Sequence, residues 1–346
     1  SYVIDVYRGE ISANKNLADV LLYVSFFPQL VAGPIVRAAD FIPQLQKKPS
    51  FKNLNVSKAF MLIIGGLIKK VIIANYLSSL IVDNVFENPE SYSAIDNLFA
   101  VYGYAIQIFC DFSAYSDIAI GVALLLGYEF KRNFNQPYRA YSIQDFWRRW
   151  HISLSTWFRD YLYIPVGGSR GGNWMRIRNT FIIFLVSGFW HGANWTFIVW
   201  GILNAVYFLP LLLTKKNRNN LDKIAEGKIF PGVKDFLNIL ITFILTVFAW
   251  IFFRANTISH AIDYISTIFS SSFFSIPNFY GKLQALITLM LIVIFLFIEW
   301  FGRQGQYGIE NSHKWKRSHR YVFYYLIIII IFWFDGKEQQ FIYFQF

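Results

Sequence analysis

Apolar runs of about 20 residues, the length a helix needs to cross bilayer hydrocarbon, recur along this 346-residue chain. The cleanest lie at 236–253, 283–301 and 321–334, and a pair at 181–190 and 195–213 flanks the stretch SGFWHGANW. No water is present in a bilayer core to satisfy the backbone, so each run predicts a helix. Two other runs carry charge. Residues 59–82 hold Lys69 and Lys70, and 98–126 hold Asp111 and Asp117, which predicts helices facing a protein interior rather than lipid. Residues 17–31 are few and contain Pro28, predicting a re-entrant or interfacial helix. The pattern as a whole predicts an all-α, polytopic integral membrane protein.

Residues 133–178 break the pattern. Trp147, Trp150 and Trp157 alternate with Arg148, Arg149 and Arg159, as in amphipathic helices at an interface or in a vestibule. Ser142 followed by Asp145 resembles a capping box, so a helix is expected to start there and to carry His151 on its second or third turn. His151 and Ser155 would then share a face at i, i+4 and contact one ligand; alternatively, His151 only ties its helix to a neighbouring carbonyl. The glycines of GGSRGG, residues 167–172, lack the Lys-Ser/Thr of a Walker loop. They read as a turn, or, with Arg170, Arg176 and Arg178, as a contact for a phosphate-bearing donor. In 98–126, Ser113 and Asp117 share a face, as do Asp111 and Tyr115. A carboxylate at that depth needs a partner, and Arg148, Arg149 and Arg159 are the expected ones. The alternative role for Asp117 is to orient a histidine.

Composition agrees with the pattern: 55% of residues are hydrophobic, 20% aromatic and 15% charged, with a mean hydropathy of +0.38. The net charge of +11 does not imply nucleic acid, because the basic residues sit in short loops beside apolar runs, where orientation and anionic lipid account for them. Lys215, Lys216, Arg218, Lys223 and Lys228 follow one helix; Arg303, Lys314, Lys316, Arg317 and Arg320 follow another two runs later. Both loops are expected to be cytoplasmic, with the tail DGKEQQFIYFQF outside. Cys110 is the sole cysteine, which excludes an intramolecular disulfide or a cysteine metal cluster, and no metal site is expected. No repeat or linker is visible, so residues 1–346 read as one membrane domain with 133–178 as an interfacial or re-entrant block within it. The start, SYVIDVYRGE, has no Met and no signal-peptide pattern, which predicts a later part of something longer.

His191 lies within the apolar stretch around SGFWHGANW. An isolated histidine on an apolar face reads first as a satisfied core residue, but an ionisable group at membrane depth is by default a functional candidate, and desolvation leaves the ring neutral and able to accept a proton. Gly188 and Gly192 would clear a passage to it. Asn194 either donates to an oxyanion or caps the next helix.

The runs LVAGPIVR, CDFSAYSDIAIG, FNQPY, DFWRRWHISLSTWFRDYLYIPVGG and GFWHGANWTFIVWG resemble the membrane-bound O-acyltransferase (MBOAT) family, and within it the bacterial branch that O-acetylates alginate. The resemblance extends along essentially the whole chain, although family members carry further helices before the start of this sequence. It implies a helical bundle around a central tunnel, with His191 of the WHG motif as the hallmark histidine and His151 of RRWH as a second. It also implies acyl transfer from a cytosolic thioester such as acetyl-coenzyme A, used as co-substrate with no bound cofactor. The acceptor would be an extracytoplasmic polysaccharide, with a separate SGNH-type transferase as partner and the bacterial cytoplasmic membrane as the location. On this reading His191 and His151 are the candidate catalytic residues, and Asn194, Ser155, Asp117, Arg148, Arg149 and Arg170 the candidate substrate-binding ones. Competing readings are D-alanyl transfer to envelope polymers, a lipid-linked saccharide transporter, and a scaffold for a polysaccharide-modifying complex.

Overall fold

The computed structural model describes residues 1–47, 54–214, 229–277, 282–303, 305, 307–308, 315–333 and 341, without the side chains of 282–285 and 288. The regular secondary structure among the described residues is all helical, with no strand among them. Short helices α1 (Tyr2–Tyr7), α2 (Leu17–Ser25) and α3 (Ala38–Leu45) come first. Asn16 caps α2, which stops at Ser25, and a 3₁₀ turn, Phe27–Gln29, carries Pro28. This is the short, proline-broken element expected at 17–31.

Next comes one long rod built from α4 (Val56–Leu67), α5 (Asn75–Leu77) and α6 (Asp83–Glu87), joined by π-helical turns over Ile68–Ala74 and Ser78–Val82. The first wide turn holds Lys69 and Lys70, the two charges that interrupt the apolar run. It lies against α7 (Ala94–Leu125), whose 32 residues start at a Ser93/Asp96 capping box and extend about 48 Å at 1.5 Å per residue. Two short helices follow, α8 (Ile143–Arg149) and α9 (Ile152–Phe158), the latter running into a π-helical turn over Arg159–Tyr163. A helical hairpin, α10 (Gly172–His191) and α11 (Trp195–Leu213), leads on to α12 (Val233–Arg254), α13 (Ile258–Ile268), α14 (Lys282–Phe301) and α15 (Arg317–Trp333).

Among the described residues, three helices, α7, α11 and α12, are long and apolar enough to cross a membrane. The run expected at 181–190 lies within α10, whose first turns include Arg176 and Arg178. The core surrounds α7: the rod, α12 and α13 all pack on it, and Tyr104, Phe112, Trp200, Trp250 and Phe253 are fully enclosed. The loop basics Lys215, Lys216, Arg218, Lys223, Lys228 and Lys314 lie outside the described residues, as does the tail apart from Phe341. That residue packs on Phe112 and Tyr115 in the core.

One expected helix is two. Ser142 does accept the Asp145 N–H at 3.3 Å, but the Asp145 carboxylate accepts from Tyr141 N–H rather than closing a box on Ser142. The helix then ends at Arg149, so His151 lies beyond it.

Candidate functional site

His151 stands at the turn between α8 and α9 in the left-handed region, φ 42° and ψ 57°, a conformation that costs a non-glycine residue energy. Neighbouring bonds hold it there. The segment from Asn133 is stitched to this turn by Asn135 N–H to Arg149 O (2.8 Å) and Ile152 N–H to Asn133 O (2.8 Å). The Asn133 side-chain oxygen accepts from Ser153 N–H (3.1 Å) and Ser153 Oγ (2.9 Å), and its amide donates to Ser116 Oγ on α7 (3.1 Å). The imidazole serves as the N-cap of α9: Nδ1 accepts the Leu154 N–H at 3.4 Å and lies 3.5 Å from Ser153 Oγ. With Nδ1 accepting, the hydrogen-bond pattern assigns the proton of the neutral ring to Nε2.

The His151 ring is 5% exposed and meets Phe112 edge-on at 4.7 Å between centroids, with Phe134 at 6.3 Å. Burial, and secondarily the nearby His191 imidazole, push its pKa down to about 3. The ring is therefore neutral at physiological pH.

His191 is the last residue of α10 and is half-buried. Four rings frame it: Trp190 and Phe253 at 5.0 Å, Trp200 at 5.3 Å and Phe197 at 6.2 Å. An aromatic series joins the two histidines' surroundings: Phe134 to Trp150 (5.2 Å), Trp150 to Trp250 (5.1 Å) and Trp250 to Phe253 (5.1 Å). The outer two of these pairs meet edge to face and the middle one is tilted, and rings packed at these spacings form a rigid wall.

The glycines beside His191 do not open a passage. A Cβ on Gly188 would lie 2.3 Å from Phe197 O, and one on Gly201 would lie 2.4 Å from Phe184 O. These two residues let the α10 and α11 backbones touch, the small-residue packing typical of membrane helices. Gly192 likewise makes room for the Phe197 ring, 2.7 Å from where its Cβ would be. Asn194 acts as a cap: its oxygen accepts Thr196 N–H at 3.1 Å and its amide donates to Asn256 O at 2.8 Å.

The other expected ligands are placed differently. Ser155 does not share a face with His151, because His151 precedes the helix; Ser155 Oγ donates to Trp150 O at 3.2 Å. Asp117 pairs with Lys69 at 2.5 Å, with Ser113 accepting from the same ammonium at 3.0 Å, and Asp111 pairs with Lys70 at 2.7 Å. The expected arginines are elsewhere: Arg149 is bound to Asp145 (2.9 Å) and Arg159 to Asp160 (2.7 Å), while Arg148 is exposed. Lysines one helix away outcompete them because the wide turn of the rod sets both ammonium groups against α7. Arg170 is exposed in the GGSRGG turn. Arg178 folds back onto Val166 O (3.0 Å) and the Asn179 side chain. Asn133 and Ser153, which seat His151, were not singled out by spacing; their signal lies in being the polar residues adjoining FNQPY and RRWH.

Comparison with known proteins decides the family, since the model of MBOAT, the membrane-bound O-acyltransferase family, matches residues 9–242. The chain belongs to this family. Among its MBOAT relatives is the "Probable alginate O-acetylase AlgI" of Pseudomonas aeruginosa, 37% identical over 311 residues that cover 89% of this chain and 57% of that protein. The "Peptidoglycan O-acetyltransferase" of Helicobacter pylori is 39% identical over 250 residues, covering 72% and 46% respectively. The "Teichoic acid D-alanyltransferase" of Bacillus subtilis is 31% identical over 214 residues, covering 59% and 54%. The chain thus spans about half the length of these curated MBOAT proteins. Both histidines and every helix from α2 to α11 fall within the family match.

Proposed function

We propose that this protein is an O-acyltransferase of a bacterial cytoplasmic membrane, moving an acetyl group from a cytosolic thioester, acetyl-coenzyme A, toward an extracytoplasmic polysaccharide. Residues 1–346 act as one membrane domain, with 133–178 as the block that carries the donor side. The observation that carries the reading is the placement of the two histidines along one series of packed aromatic rings, Phe134, Trp150, Trp250 and Phe253.

If the basic loop after α11 is cytoplasmic, α10 runs outward, and the turn holding His191 and Asn194 reaches the outer side. The same orientation puts the end of α7 and the residues after it on the inner side. There a polar cleft of about 700 Å³, lined by Arg37, Lys131, Arg132 and Arg159, reaches Ile152 and Ser153, next to His151. Arg37 and Arg159 share Asp160 there and Lys131 pairs with Asp40, so coenzyme A phosphates, which arginines suit, would exchange with these carboxylates as a donor approaches the His151 end of the wall while an acceptor approaches His191. In the transfer step the acceptor oxygen bonds to the thioester carbonyl carbon, the carbon–sulfur bond breaks, and the hydroxyl proton passes to a base.

His191 is assigned that role. His151 has its acceptor nitrogen engaged with Leu154 N–H, leaving Nε2–H as a donor suited to holding a carbonyl oxygen. At His191 the negative end of the α10 dipole favours the imidazolium that forms when the proton arrives. The acetyl group is preferred to D-alanyl because identity is 37–39% to the O-acetylating relatives and 31% to the D-alanylating one. A separate extracytoplasmic transferase of SGNH type is the proposed partner.

The test is label transfer from acetyl-coenzyme A by the full-length protein with its partner. His191→Ala is expected to lower transfer by about 10²–10⁴-fold, the usual worth of a positioned base. A folded variant that transfers normally removes the base assignment.

A further inference from the structure

We propose a binding site for an aminophospholipid, one with a phosphate and a primary ammonium in its head, at a polar node flanked by two apolar cavities beside α14. One cavity, about 300 Å³, lies between the rod, α7, α14 and α15; the other, about 440 Å³, lies between α14 and the start of α12. They share Phe109, Gln136, Phe295 and Glu299. Hydrocarbon side chains line the rest, among them Leu291, Ile294 and Ile327 on one side and Phe236, Ile239 and Val293 on the other.

The node is built but unsatisfied. Gln136 is 7% exposed, and neither of its amide atoms completes a hydrogen bond of ordinary geometry, although it stands beside the Glu299 carboxylate. Its backbone is left-handed, φ 50° and ψ 63°, strain of the kind that collects at ligand sites. A buried amide left without well-formed hydrogen bonds keeps an uncompensated desolvation cost, which a ligand would relieve. Three residues on, Arg139 lines the second cavity; one terminal nitrogen donates to Arg303 O at 3.1 Å, while its buried Nε makes no hydrogen bond. Among the described residues, several other polar groups facing the node are committed: Lys69 to Asp117 and Ser113, Tyr138 to Ala105 O, and Trp300 to Ile229 O, while Tyr307 also lines the first cavity.

A cation and a carboxylate on either side of a buried amide that lacks a well-formed hydrogen bond match a zwitterion. The phosphate lies against Arg139, the ammonium against Glu299, and Gln136 bridges them. Two hydrocarbon lobes accept two chains. A purely anionic head would meet Glu299, and a choline head could not donate to it. Arg303 follows α14 in the loop read as cytoplasmic, which places the head in the inner leaflet.

The experiment is native mass spectrometry of delipidated full-length protein titrated with phosphatidylethanolamine, phosphatidylglycerol, phosphatidylcholine or diacylglycerol. Phosphatidylethanolamine is expected to bind about tenfold more tightly than the other three, as two charge-assisted contacts allow. Arg139→Gln should remove that preference, and Val293→Trp should lower binding of every diacyl lipid by filling one lobe. Equal binding of the four lipids overturns the proposal, as does wild-type binding by both variants. If Arg139→Gln does not fold, Val293→Trp decides. The readout is independent of acyl transfer, so failure here leaves the functional assignment standing, and the reverse.

Discussion

At the scale of single residues the two histidines are unlike, and the difference is measurable. His151 holds a backbone N–H and a strained turn, so His151→Asn, which keeps a cap acceptor and tolerates left-handed φ, should retain more stability than His151→Ala. Losing the cap costs about 1 kcal/mol. In the transfer assay, His151→Ala is expected to cost less than His191→Ala; equal or reversed losses contradict the ranking. The pH dependence has a definite sign. Because the His151 pKa in the folded protein is about 3 and its unfolded value is near 6.5, the unfolded state binds the extra proton first. Stability from this residue is full above about pH 6.5 and falls by up to about 1.4 kcal/mol per unit as pH drops toward 3. A thermal-unfolding series from pH 7 to 5 reads it, and a His151→Asn series should be flatter. The sequence made His191 and His151 visible as ionisable groups in improbable settings. It hid Asn133 and Ser153, whose value is conferred by a left-handed residue that no helical periodicity anticipates.

At the scale of elements, contact between helices turns on small residues and on paired charges. Gly201→Val should force α10 and α11 apart, since even a Cβ there meets Phe184 O at 2.4 Å; a loss of about 1–3 kcal/mol or more is expected, read as a lowered unfolding temperature in detergent. The Lys69–Asp117 pair gives a sharper test. Lys69→Met alone strands a buried carboxylate and should destabilise by about 3–5 kcal/mol, whereas Lys69→Met with Asp117→Leu should recover most of the loss. Additive losses would mean the pair is not coupled. The apolar runs made most helices legible, because hydrocarbon length is a strong constraint. The pairing of charges was not, since i, i+4 spacing speaks only of one helix, and here the partners of Asp111 and Asp117 come from another.

For the whole molecule, the orientation built from basic loops makes a prediction about sidedness. Cys110 is buried, so a single cysteine introduced elsewhere can be labelled almost without background. Ser169→Cys, in the exposed GGSRGG turn, should react with a membrane-impermeant thiol reagent only from the cytoplasm, and Ala193→Cys, beside His191, only from outside. The opposite pattern would invert the route proposed for the acyl group.

The two lysine–aspartate bridges between the rod and α7 also bear on how the chain is made. The lysines are synthesised first, and α7 brings its aspartates to the insertion machinery soon after. Each helix alone would carry an uncompensated charge into hydrocarbon, but the two together are neutral across their contact. The unit that enters the bilayer is therefore the hairpin, and an insertion reporter should show residues 56–125 integrating far more completely than residues 94–125 alone.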